Sequence, residues 1–492
     1  MEIVPALVSL LQSGLGNLAA YLAAHVLLCL LPAFFIAGGL AALVPKEAVT
    51  RFLGRSAPMY VAYPVAALAG SVLAVCSCTV VPLFAGIYRR GGGLGPAITF
   101  LFFAPAANIL AISYTGVAIG MDLAIARILL SLVFGAGIGM IMAMIYSRDE
   151  ATRNGGESEA FAGANKVPAK IVIFMLLLVA LLLFGTFKIG VLTDTYGQIN
   201  LPIAGVESLQ ALLNQVVPFD ASRGEEGLTV QGVILIALLG LIGLTAWFGL
   251  DKVYEGFNRW TWACLSLVVL TLVIAATRMV PQAGGLQVEF TGRMFAVALT
   301  MAGVGYMART RFEEHEVQNW LWEAWRLVKQ IFPLLVVGVF AVGVIRPLIR
   351  PEWIQYLAGS NTLLGGLAGV LFGVFMYFPT LVEVPIAKMF LSLGMHRGPL
   401  LAYLMADPEL SLQSILMLGA IIGRSRAVVY AAWVGLFSLF AGWLYGLWVD
   451  GTSALVIGAL LLGFVGLLAL GLWLAHRRTE RQVAPSGSAA SR

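Results

Sequence analysis

The sequence predicts an all-α, polytopic membrane protein built from two inverted repeats, each interrupted by a broken, re-entrant helical hairpin. Three observations predict it. The first is composition: of 492 residues, 60% are hydrophobic and only 11% charged. The mean hydropathy of +0.93 excludes a soluble domain. The second is one apolar stretch, Cys76 to Asn108, which reads CSCTVVPLFAGIYRRGGGLGPAITFLFFAPAAN. It holds two thiols, three prolines, a Gly triplet and an Arg pair, none of which a plain transmembrane helix needs. The third is that its punctuation returns. Pro82, Gly95-Pro96 and Pro105 recur as Pro385, Gly398-Pro399 and Pro408, each 303 positions later and without a gap. Four matching breakers at one offset indicate an internal duplication. Leu53-Gly-Arg-Ser56 resembles Leu357-Ala-Gly-Ser360 in the same way, with slight slippage.

Residues 1–16 form an apolar, interfacial or half-spanning segment. Repeat one covers 17–147, with spans at about 17–44, 58–75 and 121–146 and the broken stretch between the last two, which 109–119 extends. A central insertion, 148–324, begins with a polar loop, Arg148–Lys170. Four ordinary apolar segments follow, at about 170–187, 230–249, 260–277 and 292–308. The polar loop Thr193–Thr229 separates the first two and sets Asp194, Glu207, Asp220, Glu225 and Glu226 against one Arg. An amphipathic, Trp-rich segment, 313–330, leads into repeat two, 325–447, with spans at about 331–348, 361–378 and 426–447. A final helix, 448–475, precedes the basic tail 476–492. The total is about 11 to 13 transmembrane helices.

Lys and Arg set the orientation. Arg148–Lys170 and the tail beginning His476-Arg-Arg478 are the cytoplasmic candidates, so the acidic loop 193–229 falls outside. Span 121–146 then runs out to in, and its repeat partner 426–447 runs in to out, which makes the repeats inverted. Parity requires each broken stretch to enter and leave on one side. Arg89-Arg90 is too costly at mid-bilayer, so the hairpin tip must reach water or headgroups. The N-terminus carries Glu2 and no basic n-region, which argues against a cleaved signal peptide.

The chemistry-bearing residues lie at the breaks. Pro82 and Pro105 lack N–H groups, so the carbonyls of Cys78 and Leu101 lose their helical partners. Such carbonyls are tolerated in a bilayer only where protein or a wet cavity surrounds them. Cys76 and Cys78 point apart in a regular helix and share a ligand only if the backbone breaks there. Two thiols at one site suit soft species such as trivalent arsenic, antimony, Cu(I) or Zn; the alternative is ordinary packing. Thr79, Pro82, Pro105 and Asn108 complete the candidate substrate site, although Asn108 also suits the cap of a half-helix. Glu383, Asp407 and Glu409 occupy the second broken stretch and are candidate proton-coupling groups. The bland readings are a salt bridge to Lys388 or Arg397, or a wet hairpin tip. Cys29, Cys264 and His25 read as packing residues, and an Asp122–Arg127 pair is possible at five residues' spacing. Trp260, Trp262 and the aromatics in Trp320–Trp325 read as interfacial belts.

The stretch CSCTVVPLFAGIYRRGGGLGPAITFLFFAPAANIL resembles the predicted permease family that includes YraQ and the ArsP organoarsenical efflux permease. Both broken stretches and their flanking spans, about half the chain, carry the resemblance. It implies a polytopic inner-membrane permease. For ArsP-like members it implies export of trivalent methylated or aromatic arsenicals through Cys contacts, a role that carries over to Cys76 and Cys78. The central block departs from the shorter members and reads as an insertion. The expected partners are a small-molecule substrate and the lipid bilayer, with no nucleic acid, since no basic cluster is interleaved with aromatics. No cofactor or metal site is expected. The chain has no GxxxxGK[ST], so transport is expected to draw on an ion gradient and not on ATP. The rival readings are a permease for another solute with structural cysteines, a scaffold for a partner protein, and a membrane thiol-redox enzyme. Against the enzyme, the spacing is Cys-x-Cys and not Cys-x-x-Cys.

Overall fold

The computed structural model describes residues 3–45, 51–54, 57–73, 77–147, 149, 167–187, 190–217, 227–282, 284–348, 351–375 and 383–483. The first long helix is continuous from Ile3. α1 (Ile3–Tyr21) passes through a π-helical segment (Leu22–Leu30) into α2 (Leu31–Ala42). From Ile3 the N-terminal segment is thus helical and runs unbroken into the π-helical segment. Pro32 explains the π register: it has no N–H for the carbonyl of Leu28 and its ring crowds that oxygen. The displaced Leu28 oxygen packs on Gly185, where a Cβ would stand only 2.7 Å from it.

Then come α3 (Met59–Leu73), α4 (Ser77–Arg89), α5 (Leu94–Ala106), α6 (Ile109–Ala118) and α7 (Met121–Ile145). Each reappears 303 residues later as α15 (Leu363–Phe375), α16 (Glu383–Ser392), α17 (Arg397–Leu410), α18 (Leu412–Ile422) and α19 (Arg424–Val449). The second half of α13 (Glu314–Ile345) is the counterpart of α2 in the same register. Between the halves lie α8 (Ala169–Thr186), α10 (Val230–Gly249), α11 (Arg259–Ala276) and α12 (Gly292–Thr310). These pack on one another and on α2 and the π segment. α14 (Pro351–Ala358) precedes α15, and α20 (Ala454–Val483) closes the described chain.

Six described helices are long and apolar enough to cross a membrane, seven with the bent pair α17–α18. Five shorter apolar helices accompany them. The expectation of helices alone missed a small antiparallel sheet, β1 (Thr195–Leu201), β2 (Arg278–Gln282) and β3 (Gly285–Thr291), ordered β1-β3-β2. β1 and α9 (Val206–Val216) come from the acidic loop, so its described part is not bare loop. Its Val206 and the sheet's Leu286 form a small core of their own with Val230.

The duplication holds down to single hydrogen bonds. At the first hairpin tip the Gly92 N–H donates to Ile87 O at 3.1 Å; at the second, Met395 donates to Phe390 O at 2.9 Å. Gly91 and Gly394 turn these tips with φ of 85° and 91°, a region that favours glycine. A Cβ on Gly70 would stand 2.9 Å from Ala104 N, and one on Gly373 2.8 Å from Asp407 N. The rings of Phe134 and Phe437, also counterparts, meet edge to face at 4.9 Å. Counterparts touch each other only on a two-fold axis, so α7 and α19 cross at the pseudo-axis.

The two hairpin tips lie at opposite ends of the bundle. α7 starts at the second tip, where Arg397 Nη1 lies 2.9 Å from Asp122 Oδ2. It ends near the first, where Arg426 bridges Tyr88 OH at 2.9 Å and Asp149 Oδ2 at 3.0 Å. Arg89 there pairs with Glu323 at 3.7 Å and donates to Gln330. Trp260 and Trp262 are exposed, as an interfacial belt requires. Trp320 and Trp325 are not: they are buried, with indole N–H groups on Phe35 O at 2.8 Å and Asp251 Oδ1 at 3.1 Å.

Candidate functional site

The ends of the broken helices meet in the interior. α5 stops at Ala106 because Pro105 denies Leu101 its helical partner. Asn108 then caps α6: its Oδ1 accepts from Ala111 N at 2.8 Å and its Nδ2 donates to Ala104 O and Pro105 O, each at 3.2 Å. At the matching break, Ser411 caps α18 from Ser414 N, and the chain bends by 44° between α17 and α18. α6 packs on α16 and α18 on α4, a reciprocal pair of contacts across the axis.

Arg127 organises one side of this interior. Six residues into α7, about 9 Å from its start, it is fully buried at 0% exposure. Its Nε donates to Ala106 O at 2.8 Å, Nη1 to Thr115 Oγ1 at 3.3 Å and Nη2 to Glu383 Oε1 at 2.6 Å. The guanidinium thus satisfies the carbonyl at the end of a half-helix and joins repeat one to a carboxylate of repeat two. The expected partners fail on placement. Asp122 pairs with Arg397 and Tyr445, not with Arg127. Glu383 is bound by Arg127, while Lys388 is exposed on the far face of α16 and Arg397 lies at the hairpin tip.

Glu409 and Asp407 are buried near the end of α17, away from the tip, so the wet-tip reading does not hold. Tyr430 OH donates to Glu409 Oε2 at 2.6 Å; Glu409 Oε1 has no hydrogen-bond partner among the described residues. Gln413 is buried beside the break with neither amide atom partnered among those residues. Among the described residues Glu383, Asp407 and Glu409 are buried near these breaks, and so is one cation, Arg127. Arg127 neutralises one; further ionised carboxylates would cost several kcal/mol each.

Cys76 lies outside the described residues, as does the side chain of Cys78. Thr79, next in the chain, is buried, and its Oγ1 lies 2.6 Å from Cys29 Sγ. Cys29, read from sequence as packing, is brought beside the first broken stretch by the π segment. Pro82 sits within α4 and Pro105 in the last turn of α5. The side chain of His25 is outside the described residues. Among those residues no three His, Cys, Asp or Glu gather to hold a metal. Sequence reasoning underrated Arg127 and missed Tyr430 and Ser414. A lone Arg in an apolar span, whose repeat counterpart is Tyr430, was the available signal.

Broken half-helices around buried charge, repeated about an axis, define a membrane transport fold. The chain matches the ArsP_1 family of predicted permeases over residues 13–447 and belongs to it. It is 30% identical to UPF0718 protein MJ0584 of Methanocaldococcus jannaschii over 447 residues, 91% of this chain and 99% of that one. It is 31% identical to UPF0718 protein YraQ of Escherichia coli K12 over 100 residues, 20% of this chain and 28% of that one. No solved structure matches it. The chain is a multi-pass membrane protein of a permease family.

Proposed function

We propose that this permease exports a small thiophilic solute of the trivalent organoarsenical class across the bacterial inner membrane, driven by an ion gradient. The observation that carries the reading is the buried meeting of both repeats' half-helices around Arg127, Glu383, Asp407 and Glu409. Intramembrane ionisable groups at such a junction mark ion and substrate paths. Cys76 and Cys78 would contact the soft substrate, with Thr79, Pro82, Pro105 and Asn108 shaping the site, and coupling to protons would fall to one or more of Glu383, Asp407 and Glu409. The repeats would span 17–147 and 325–447 around the insertion 148–324. In this reading loop 193–229 is periplasmic, and Arg148–Lys170 and the C-terminal tail are cytoplasmic.

Uptake of trivalent methylarsenical into everted vesicles, which reports efflux from the cell, tests the proposal. Cys76→Ser and Cys78→Ser replace a soft sulfur by a hard oxygen at similar volume. Each should sharply reduce uptake at equal protein level, and the double variant should be little worse than either. Undiminished uptake in the double variant would leave both thiols with a packing role only. Absence of uptake by the natural protein would reject the substrate class.

A further inference from the structure

The ion-pair site has a symmetry mate that is built differently. Moving 303 positions along the chain turns Arg127 into Tyr430, Glu383 into Val80, Thr115 into Leu418 and Ala106 into Glu409. The two halves of this inventory come together in space. Val80, Leu418, Glu409 and Tyr430 all line one small cavity, with Val81, Leu101, Pro408 and Ser414. Its volume is about 10 Å³, near what a single water needs. The mate site fills the same place with a guanidinium; the shorter phenol leaves a gap. A phenol also donates only one hydrogen bond and carries no charge.

Glu409 is 4% exposed, and its Oε1 has no partner among the described residues. Ser414 Oγ accepts from Ser411 at 2.7 Å, which leaves its own hydroxyl proton available to the cavity. The groups around Glu409 are few. Among the described residues α19 supplies Tyr430, and α16 supplies Glu383 with its Arg127 counter-ion from α7; Asp407 is buried two residues before Glu409 on α17. The cavity walls from α4, α5 and α18 bring Val80, Val81, Leu101, Ser414 and Leu418, none of them ionisable.

We propose that this cavity is the proton-carrying site of the permease, with Glu409 as the group that takes and releases the proton and Glu383 held as a fixed anion by Arg127. The step is addition of a proton from water to the Glu409 carboxylate and its return to water; no other bond changes. Among the described residues no cation lines the cavity, and there the neutral acid avoids the desolvation cost that an ionised carboxylate meets. Tyr430 and Ser414 keep hydrogen bonds available to either form. That the proton drives transport rests on the permease reading above.

The decisive experiment is labelling with dicyclohexylcarbodiimide, which adds to protonated carboxyls in apolar surroundings, followed by peptide mass spectrometry. It needs no substrate. The intact protein in liposomes should be modified at Glu409, with labelling that falls as pH rises. Glu409→Gln should lose the label and Glu383→Gln should keep it. Modification of Glu383 or Asp407 in place of Glu409, or no modified carboxyl at any pH, overturns the assignment. In everted vesicles Glu409→Gln should lose uptake of trivalent methylarsenical driven by a pH gradient, yet retain exchange of labelled for unlabelled substrate. Undiminished coupling in Glu409→Gln also overturns it. A natural protein that moves no methylarsenical fails the substrate proposal alone, because the labelling still decides the proton site.

Discussion

The two repeats share a backbone and differ in chemistry. Among the described residues α4 to α7 match α16 to α19, down to the tip hydrogen bonds at Gly92 and Met395. Yet repeat one lines its break with Val80, Ala104 and Ala106 where repeat two carries Glu383, Asp407 and Glu409. The long helix of repeat one brings a cation, Arg127, and that of repeat two a phenol, Tyr430. Backbone symmetry needs only the breakers, because Pro and Gly act through the main chain. Side-chain symmetry is not required, and two identical sites about one axis would both be neutral pairs or both be unpaired. The divergence gives Glu383 a guanidinium partner and Glu409 a phenol.

Breaking the ion pair should have the largest effect. Arg127→Met leaves Glu383 buried without its counter-ion, at a cost of about 3–5 kcal/mol. The variant should express poorly and lose monodispersity in detergent. Arg127→Met with Glu383→Met should recover much of it, since an apolar pair of similar volume is often neutral. No recovery in the double variant would mean that Arg127 matters through Ala106 O and Thr115 and not through the ion pair.

Next are the symmetric close approaches. Gly70→Val and Gly373→Val each drive a side chain into a backbone nitrogen of the neighbouring helix, at 2.9 and 2.8 Å from the new Cβ. Overpacking of this kind costs about 1–3 kcal/mol. The two variants should lower the melting temperature by similar amounts. A large inequality would show that the repeats differ in backbone freedom as well as in side chains.

A smaller effect is expected at the phenol. Tyr430→Phe removes one hydrogen bond to Glu409 and leaves the cavity larger by a hydroxyl. Hydrogen bonds between membrane helices average about 0.6 kcal/mol, so the melting temperature should fall by far less than in Arg127→Met. Equal falls would mean that Tyr430 is as structural as its counterpart.

The smallest effect lies outside the repeats' core, where the insertion meets α13. The Lys329 ammonium hydrogen-bonded to Asp251 holds that carboxyl below the usual carboxylate range, and the Trp325 indole assists. A lowered folded-state value means that the stabilisation is present at neutral pH and is lost as pH falls through that value. The pair is about a third exposed, so its contribution is of the order of a surface pair, about 0–1 kcal/mol. Asp251→Asn should melt slightly below the natural protein at pH 7, and the difference should vanish in acid. A difference that persists in acid would assign the effect to the Trp325 contact.

Class, duplication and breaks were legible in the sequence because each depends on local chemistry. An apolar run longer than a bilayer is thick has few alternatives to a helix, and Pro removes an N–H wherever it stands. The hydrogen-bond period of a helix carries the 303-residue offset directly from chain to structure. The acidic loop was legible as polar but not as a strand and helix, because β1 gains its partners from β3 almost a hundred residues on. The partners of charged residues were not legible at all. Asp122 and Arg127 stand five apart, which puts them on different faces of one helix, and each finds its partner across the molecule: Arg397 for one, Glu383 for the other. Cys29, in the π segment, meets Thr79 fifty residues further along the chain, a contact that no local pattern announces. Which carboxyl meets a guanidinium and which a phenol was therefore decided by the crossing of α7 and α19 at the axis. That crossing sets which half-helix ends each long side chain can reach.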